Sequence, residues 1–362
     1  MSFDLNTLYP VMPEIVLLTA ASIVLVIDLF LKDEQRIVSY SLAQLGLLAT
    51  IVAVVMNGGT HTDIVFDNNY IRDPMSDLLK IVILIVSMGM LVYAKEFLKR
   101  RNLFKGDFFT LSMFAMLGML IMVSANSFLT IYLGLELLAL CMYALVAFDQ
   151  ESDNGPEAAM KYFVLGALAS GILLYGISMI YGATGALDFA AVNAAISAGS
   201  INEVVLVFGL VFLVIGIAFN FGEVPFHMLV PDVYHGAPTA VTMFIGSVPK
   251  IAAFALAMRV LVDAMGALQT DWQGMLVILA VLSMAIGNVI AIAQSNIKRM
   301  LAYSTISHVC FIFLGIIAGN NEGYVAAMFY AIVYSIMALG AFGMIAMMSS
   351  KGFDADQLDD LK

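Results

Sequence analysis

Long apolar runs separated by short polar segments dominate this chain. Eleven of the runs are long enough to cross the hydrocarbon core of a bilayer, about 30 Å, which takes roughly 20 helical residues. The runs are continuously apolar and show no alternation of inward and outward residues, so helices are favoured over a barrel. The pattern predicts an all-α polytopic membrane protein with spans at residues 13–31, 37–57, 74–94, 108–126, 127–148, 157–182, 203–222, 239–262, 272–294, 300–319 and 323–348.

Composition agrees with this class and excludes several functions. Hydrophobic residues make up 62% of the 362 residues and charged residues only 12%, which is too little polar surface for a soluble chain. The net charge of -11 comes from acids scattered through short loops, so neither nucleic acid nor a cationic partner is indicated. Phosphate-binding loops, dinucleotide fingerprints, clustered cysteines and paired histidines are absent from the sequence, so we expect no cofactor on this chain.

Basic residues predict the orientation of the bundle. With the N-terminus outside, the outer loops contain only Arg72, as the preference for basic inner loops requires. The first run lacks a basic leader and a cleavage site, so we interpret it as a retained span in a membrane that we expect to be the bacterial inner membrane. The inner segments collect Lys32, Arg36, Lys95, Lys99, Arg100, Arg101, Lys105, Lys298, Arg299, Lys351 and Lys362.

Two connections differ from the other short loops. Residues 184–202 fit either a short amphipathic helix at the outer interface or a plain loop. The segment Glu223–Pro238 contains three prolines, which remove backbone donors, and we expect the seventh span to break near Pro225 and again near Pro231. Such a break can line a water-filled path, but a re-entrant or surface loop would have the same sequence pattern.

Four ionisable residues interrupt apolar spans and are the main candidates for function. Glu136, Lys161, Lys250 and His308 lie in separate runs, and an uncompensated charge at bilayer depth costs about 2.5–3.5 kcal/mol on insertion scales. A row of such residues is typical of a proton or ion path. The alternatives are a structural buried acid for Glu136, a snorkelling lysine for Lys161 and a core histidine for His308.

The neighbourhood of each candidate refines this interpretation. Lys250 follows Pro249, which leaves the carbonyl of Ile245 without its usual partner and offers the ammonium an acceptor. Lys80 and Arg259 lie near span ends, where we expect them to snorkel to the surface. Glu14 and Asp28 lie near the two ends of the first span, and we interpret them as structural residues.

Three long stretches resemble the proton-conducting antiporter-like membrane subunits of respiratory complex I. They are residues 155–185, 224–250 and 294–315, which include KYFVLGALASG, VPFHMLVPDVYHGAP and IKRMLAYSTISH. The first stretch is most similar to the subunit N branch of this family. The similarity extends over essentially the whole chain.

The resemblance implies a fold of fourteen helices with two inverted repeats and a broken helix seven. On this pattern residues 1–107 form the N-terminal helices, residues 108–271 the first repeat and residues 272–362 part of the second repeat. About eleven helices are present, so we expect the chain to be a fragment whose second repeat is cut short.

The resemblance also assigns roles to individual positions. Glu136, Lys161, Lys250 and His308 match the family's proton-carrying glutamate, two lysines and histidine. Where the family usually has a lysine in broken helix seven, this chain has Asn220, which can hold water but cannot carry a proton. Three residues later it has Glu223, and we hypothesise that Glu223 is a relocated titratable group paired with a lysine such as Lys250. The alternative is an acid at the loop edge facing water.

The implied function is proton translocation by a membrane subunit of NADH-quinone oxidoreductase. Quinone reduction elsewhere would perturb a pair between Glu136 and a lysine and so drive protons outward. The expected partners are neighbouring antiporter-like and small membrane subunits, the flavin and iron–sulfur arm indirectly, and the lipid bilayer. Two other functions remain open, a subunit of a multisubunit cation/proton antiporter and a scaffold that does not pump.

Overall fold

The computed structural model describes residues 5–152, 154–199, 201–350, 353 and 355–361. Within them, eleven helices are long and apolar enough to cross a membrane, which confirms the predicted spans. Short 3-10 turns at Leu5–Val11, Asp33–Gln35, Gly266–Leu268 and Leu358–Leu361 flank or connect them. The α-helices are α1 (Met12–Asp28), α2 (Ile37–Asn57), α3 (Pro74–Arg100), α4 (Gly106–Val123), α5 (Phe128–Val146), α6 (Gly155–Thr184), α7 (Phe189–Ala198), α8 (Glu203–Phe221), α9 (Leu229–Gly236), α10 (Thr239–Ser247), α11 (Pro249–Ala257), α12 (Gln269–Ile292), α13 (Ile297–Ile317) and α14 (Asn321–Met348).

Polar side chains cap several of these helices where apolar character alone gives no boundary. The Ser127 hydroxyl accepts a hydrogen bond from the backbone N–H of Thr130 at the start of α5. Asn296 and Asn320 do the same at α13 and α14. Each cap satisfies a backbone N–H that has no partner inside the helix, a requirement that is severe near a membrane.

The seventh span is broken into α8 and α9, as the prolines predicted. Residues 222–228 separate the two helices, and Pro225 lies inside this gap. The second break expected near Pro231 is wrong, because Pro231 lies in the first turn of α9. A proline is tolerated there since the backbone nitrogens of a first turn have no helical acceptor.

The eighth span also changes geometry along its length. It consists of α10, then α11 beginning at Pro249, then a π-helical segment at Met258–Ala264. Of its most apolar window, 94% is buried inside the protein. The eighth span therefore lies at the centre of the bundle, in contact with α3, α4, α8 and α14.

The predicted connecting helix at residues 184–202 is α7. Its buried residues Phe189, Val192 and Ile196 share one face, and the helix packs against Met258–Ala264. The spacing of three and four residues places these side chains on one stripe. The amphipathic-helix interpretation is thus confirmed, and α7 covers the π-helical end of the eighth span.

A small β-hairpin, which the sequence analysis did not predict, lies between α2 and α3. β1 (Asp63–Val65) pairs antiparallel with β2 (Tyr70–Arg72). Tyr70 also forms an isolated bridge with Ala125 after α4. Strands of three residues are too short to show an alternating pattern. The hairpin covers the ends of the helices around it.

Lys80 does not snorkel, contrary to expectation. Its side chain is fully buried, with Nζ 2.7 Å from Glu14 Oε1. The same ammonium donates to the Tyr70 hydroxyl at 2.8 Å, and Tyr70 donates to Glu14 Oε2 at 2.9 Å. Burial, reinforced by the Glu14 charge, raises the pKa of Tyr70 well above its usual range, so the phenol remains a donor. Tyr70 of the hairpin and Glu14 of α1 thus give Lys80 polar partners inside the protein.

Arg259 is likewise buried, so its expected snorkelling is also wrong. Its Nη2 donates to both carboxylate oxygens of Asp73, at 2.9 and 2.8 Å. Nη1 donates to Asp263 at 3.2 Å, and Nε donates to the carbonyl of Val123 at 3.3 Å. Asp73 also caps α3 by accepting from the N–H of Ser76. Arg259 therefore links the eighth span to the ends of α3 and α4.

Lys80→Met should destabilise the protein strongly. Glu14 would be left buried without its cation, which typically costs about 3–5 kcal/mol. Denaturant titration in mixed micelles measures the free energy of unfolding. As a control, Lys99→Met removes a pair with Glu96 that is exposed and 3.8 Å long, so the loss should stay below about 1 kcal/mol. Equal losses in the two variants would contradict the assignment of Lys80 to a buried pair.

Candidate functional site

Lys250 is a buried candidate that binds the broken end of the seventh span. Its Nζ donates to the carbonyl oxygens of Asn220 at 3.3 Å and Phe221 at 2.9 Å. These carbonyls lie in the last turn of α8, where no helical N–H follows to bind them and the helix dipole is negative. The ammonium thus turns to α8 and not to the carbonyl of Ile245, which the sequence had offered as an acceptor.

Glu136 lies half-buried near the middle of α5. One carboxylate oxygen, Oε1, is buried without a hydrogen-bond partner. The phenols of Tyr132 and Tyr143 interact with the carboxylate. Among the described residues, Glu136 forms no ion pair within 4.0 Å, so the expected direct pair with a lysine is wrong for this structure. The hydroxyls of Tyr132 and Tyr143 are polar neighbours of the carboxylate instead.

A cavity beside Lys250 is also lined by residues of α5 that are close to Glu136 in sequence, although Glu136 itself does not line it. Its volume is about 80 Å³, and Tyr143, Asn220 and Lys250 line it together with Tyr162 and Ser170. The lining is mainly apolar, with these five side chains as its polar groups, and a cavity of this size has room for a few water molecules, since one water needs about 10–15 Å³ of such volume. Tyr143 interacts with Glu136 and also lines the cavity. Sequence reasoning missed Tyr143, although a tyrosine seven residues after a buried glutamate lies on the same helix face.

Lys161 lies apart from this cavity, near the N-terminal end of α6. Its side chain is 43% exposed and forms ion pairs with Glu157 at 2.9 Å and Asp232 at 2.8 Å. Asp232 also pairs with Arg299 at 3.0 Å. We refer to Lys161, Glu157, Asp232 and Arg299 as the inner ion cluster. The exposure favours the alternative in which Lys161 snorkels to the surface, and the sequence analysis missed its partner Asp232.

His308 is half-buried on α13 among aromatic residues. Its Nδ1 lies 2.7 Å from the Tyr330 hydroxyl, and the Tyr334 ring lies 5.6 Å away. Tyr334 in turn donates to the Thr305 hydroxyl at 2.8 Å. The imidazole can donate or accept through either nitrogen. The structure therefore places His308 in a polar aromatic cluster, separate from both the Lys250 cavity and the inner ion cluster.

Asn220 and Glu223 flank the end of α8 but have different surroundings. The Asn220 amide donates to the carbonyl of Gly216 in its own helix at 2.9 Å and lines the Lys250 cavity. Glu223 is 0% exposed, so the alternative of an acid facing water is wrong. Its carboxylate forms no ion pair with Lys250 within 4.0 Å, although the two charges interact. The expected direct pair is therefore absent.

Comparison with known proteins assigns the chain to a family. The family model described as "NADH:quinone oxidoreductase/Mrp antiporter, TM" matches residues 125–362. NADH-quinone oxidoreductase subunit N of Thioalkalivibrio sulfidiphilus is 52% identical over 100% of this chain and 76% of the relative. The chain belongs to the family of NADH-quinone oxidoreductase subunit N. It is therefore a proton-translocating, antiporter-like membrane subunit of a multisubunit oxidoreductase complex.

Solved structures agree with this family. A chain of respiratory complex I from Thermus thermophilus with bound aureothin superposes with a TM-score of 0.77 at 29% identity, covering 94% of this chain and 71% of that one. A chain of the Mrp complex from Dietzia superposes with a TM-score of 0.79 at 19% identity, covering 96% and 64%. The second likeness shows the shared fold alone. The antiporter-like fold expected from the sequence is thus confirmed.

Gly222→Ala should disturb the break that supports Lys250. Gly222 has a φ of +82°, a region that costs other residues about 1–2 kcal/mol, and an added Cβ would lie 2.7 Å from Val230 Cγ2. We expect a lower unfolding midpoint in detergent. Gly171→Ala is the matched control, because a Cβ there meets nothing within 4 Å and alanine favours a helix by about 1 kcal/mol. An unchanged midpoint for Gly222→Ala would contradict a strained break.

Proposed function

We propose that this subunit moves protons outward along the inner ion cluster, the Lys250 cavity and the aromatic cluster of His308. In this mechanism Glu136 is the charge near the coupling side, and Lys161 and Lys250 exchange protons. His308 bridges toward the second part of the subunit. The proposal is supported most directly by Lys250, a buried ammonium held by two backbone carbonyls beside a cavity that can contain water.

The surroundings of Lys250 suit a group that changes its protonation state. No carboxylate lies within 4.0 Å of its Nζ among the described residues, so carbonyl dipoles provide the nearest stabilisation of its charge. Dipoles stabilise an ammonium less than a full negative charge does, and a neutral amine can stay in the same place. A proton could therefore leave Lys250 through water without breaking an ion pair.

The driving energy would come from other subunits. Moving one proton outward opposes about 2.3 kcal/mol per 100 mV of membrane potential. We propose that this chain carries no redox centre and that quinone reduction elsewhere changes the electrostatic field at Glu136. The half-buried position of that carboxylate, with Leu133 and Leu140 exposed on the same helix, supports contact with a neighbouring membrane subunit. The flavin and iron–sulfur arm would act indirectly.

A cation/proton antiporter is the second candidate function. The fold shared with the Mrp chain supports it, but the identity to subunit N favours the respiratory function. Sodium-dependent proton exchange without quinone would identify an antiporter. A scaffold subunit would lose neither activity nor proton flux when Glu136 and Lys250 are replaced. Copurification of flavin and iron–sulfur subunits would distinguish the respiratory complex from an antiporter assembly.

Lys250→Ala should abolish most proton translocation while the complex still assembles. The cavity would lose its titratable base, and positioned proton-transfer groups contribute on the order of 10²–10⁴-fold to rates. The measurement is acidification of inverted vesicles per NADH oxidised, with a native gel to verify assembly. Lys99→Ala is the control, because its side chain lies at the surface. Unchanged acidification by both Lys250→Ala and Glu136→Gln would exclude the proposed path.

The proposed orientation can be tested by labelling single cysteines. His61 lies in the exposed connection before β1, and Glu34 lies in the exposed turn after α1. With the N-terminus outside, a membrane-impermeant maleimide should label His61→Cys in spheroplasts but label Glu34→Cys only after lysis. The native residues Cys141 and Cys310 are buried and should contribute little background. The reverse labelling pattern would invert the proposed orientation.

A further inference from the structure

Glu223 is held in place by its own backbone and the residues that follow it. Its N–H donates to the carbonyl of Ala218 at 2.9 Å, which closes the end of α8 around the left-handed Gly222. The next N–H, that of Val224, donates to the Ser283 hydroxyl of α12 at 2.9 Å. The N–H of Gly222 also donates to the carbonyl of Phe219 at 3.0 Å, so the N–H groups of Gly222 and Glu223 together form a common helix ending. Backbone hydrogen bonds therefore fix the position of Glu223, and its side chain lies inside the bundle.

The Glu223 carboxylate has no hydrogen bond of normal geometry. Both oxygens are buried, the side chain is 0% exposed, and the Ser283 hydroxyl is a neighbouring polar group that interacts with the carboxylate. Glu14 provides a contrast, because this equally enclosed acid binds Lys80 at 2.7 Å and accepts from Tyr70 at 2.9 Å. A buried acid that serves structure is paired, since an unpaired charge costs several kcal/mol. Glu223 has no such ion pair, so its contacts do not indicate a purely structural role.

The groups around Glu223 belong to two different parts of the chain. Lys250, the cation that acts on its carboxylate, binds the carbonyls of Asn220 and Phe221 just before it. On the other side, Phe221 packs on Phe313 of α13 with ring centroids 4.9 Å apart, and Ser283 belongs to α12. Glu223 therefore lies between the eighth span and the pair formed by α12 and α13.

Polar side chains continue from this position along α12 and α13. Asn288 of α12 donates to the Ser307 hydroxyl of α13 at 2.7 Å. His308 follows in the same helix and contacts Tyr330 at 2.7 Å. Asn220 cannot supply the connection, because an amide does not titrate and this one binds the carbonyl of Gly216. Glu223, which interacts with Lys250 on one side and with Cys310 of α13 on the other, is therefore a titratable group placed between Lys250 and α13.

We propose that Glu223 is a proton carrier of the broken seventh span, receiving a proton from Lys250 and passing it toward α13. The ammonium of Lys250 becomes a neutral amine as the Glu223 carboxylate becomes a neutral carboxylic acid. The acid then loses the same proton to water or imidazole on the α13 side. Only N–H and O–H bonds change, so no other reactant is needed. This inference rests on the proposed function.

The test uses the assembled complex in inverted vesicles and the isosteric variant Glu223→Gln. Proton translocation per NADH oxidised should fall by about tenfold or more, since proton-transfer groups contribute on the order of 10²–10⁴-fold. Glu223→Asp, which keeps a carboxyl group, should retain part of the activity. Glu96→Gln is the control, because this acid is exposed on α3. Full proton translocation by Glu223→Gln would overturn the inference.

Infrared difference spectroscopy provides a readout independent of pumping. Titrating or reducing the complex should change the carbonyl stretch of a protonated carboxylic acid, and this change should be missing in Glu223→Gln. An identical difference spectrum in the two proteins would also overturn the inference.

Should Glu223→Gln not assemble, Asn220→Lys combined with Glu223→Ala moves the titratable group one turn back onto the Lys250 cavity. We expect that variant to translocate protons, and its inactivity in an assembled complex would count against the proposal.

The two proposals can fail separately. Loss of translocation in Glu136→Gln and Lys250→Ala, with full activity in Glu223→Gln, would leave the proposed function intact and remove only the role of Glu223. Full activity in all three variants would remove the proposed path itself.

Discussion

The hydrogen bonds from Lys250 to the last carbonyls of α8 are the interaction on which the arrangement of the site depends. A helix interrupted inside a membrane leaves backbone groups that lipid cannot satisfy. Here Gly222 turns the chain, Glu223 and Val224 use their N–H groups, and Lys250 binds two remaining carbonyls. The same ammonium that satisfies the broken backbone also lines the cavity. Structural support and candidate proton chemistry therefore share one side chain.

Buried charges near the β-hairpin and the start of α3 have different surroundings from Lys250. Lys80 is matched by Glu14 and Tyr70, and Arg259 is matched by Asp73 and Asp263. Opposite charges within hydrogen-bond distance hold each other in the charged state. Such groups tie helices together but exchange protons poorly. Lys250 and Glu223 differ from these groups, because neither has an ion-pair partner within 4.0 Å among the described residues, and this difference is what favours them as the proposed proton carriers.

The sequence predicted the spans well because continuous apolar runs of about 20 residues have few alternatives in lipid. It predicted the break at Pro225 for a similarly local reason, the missing backbone donor. It could not predict the partners of Lys80 or Lys161, because Glu14 and Asp232 lie far away in sequence and meet them only through packing. Pro231 shows the same limit, since its effect depended on whether it began a helix or interrupted one.

The family resemblance leads us to expect a lysine at position 220, but this chain has an amide there and an acid at Glu223. The ionisable group at the break is therefore an acid and not a base. A lysine there would add a second ammonium beside Lys250, and the two like charges would favour proton loss from each other. A carboxylate instead attracts the Lys250 ammonium, so the pair is neutral overall both as a charged pair and after one proton has moved between its members. Transfer within a neutral pair needs little rearrangement of the surrounding low-dielectric core. The position of Glu223 one residue beyond the left-handed glycine makes this possible, because the turn places its side chain inside the bundle, where it is fully buried.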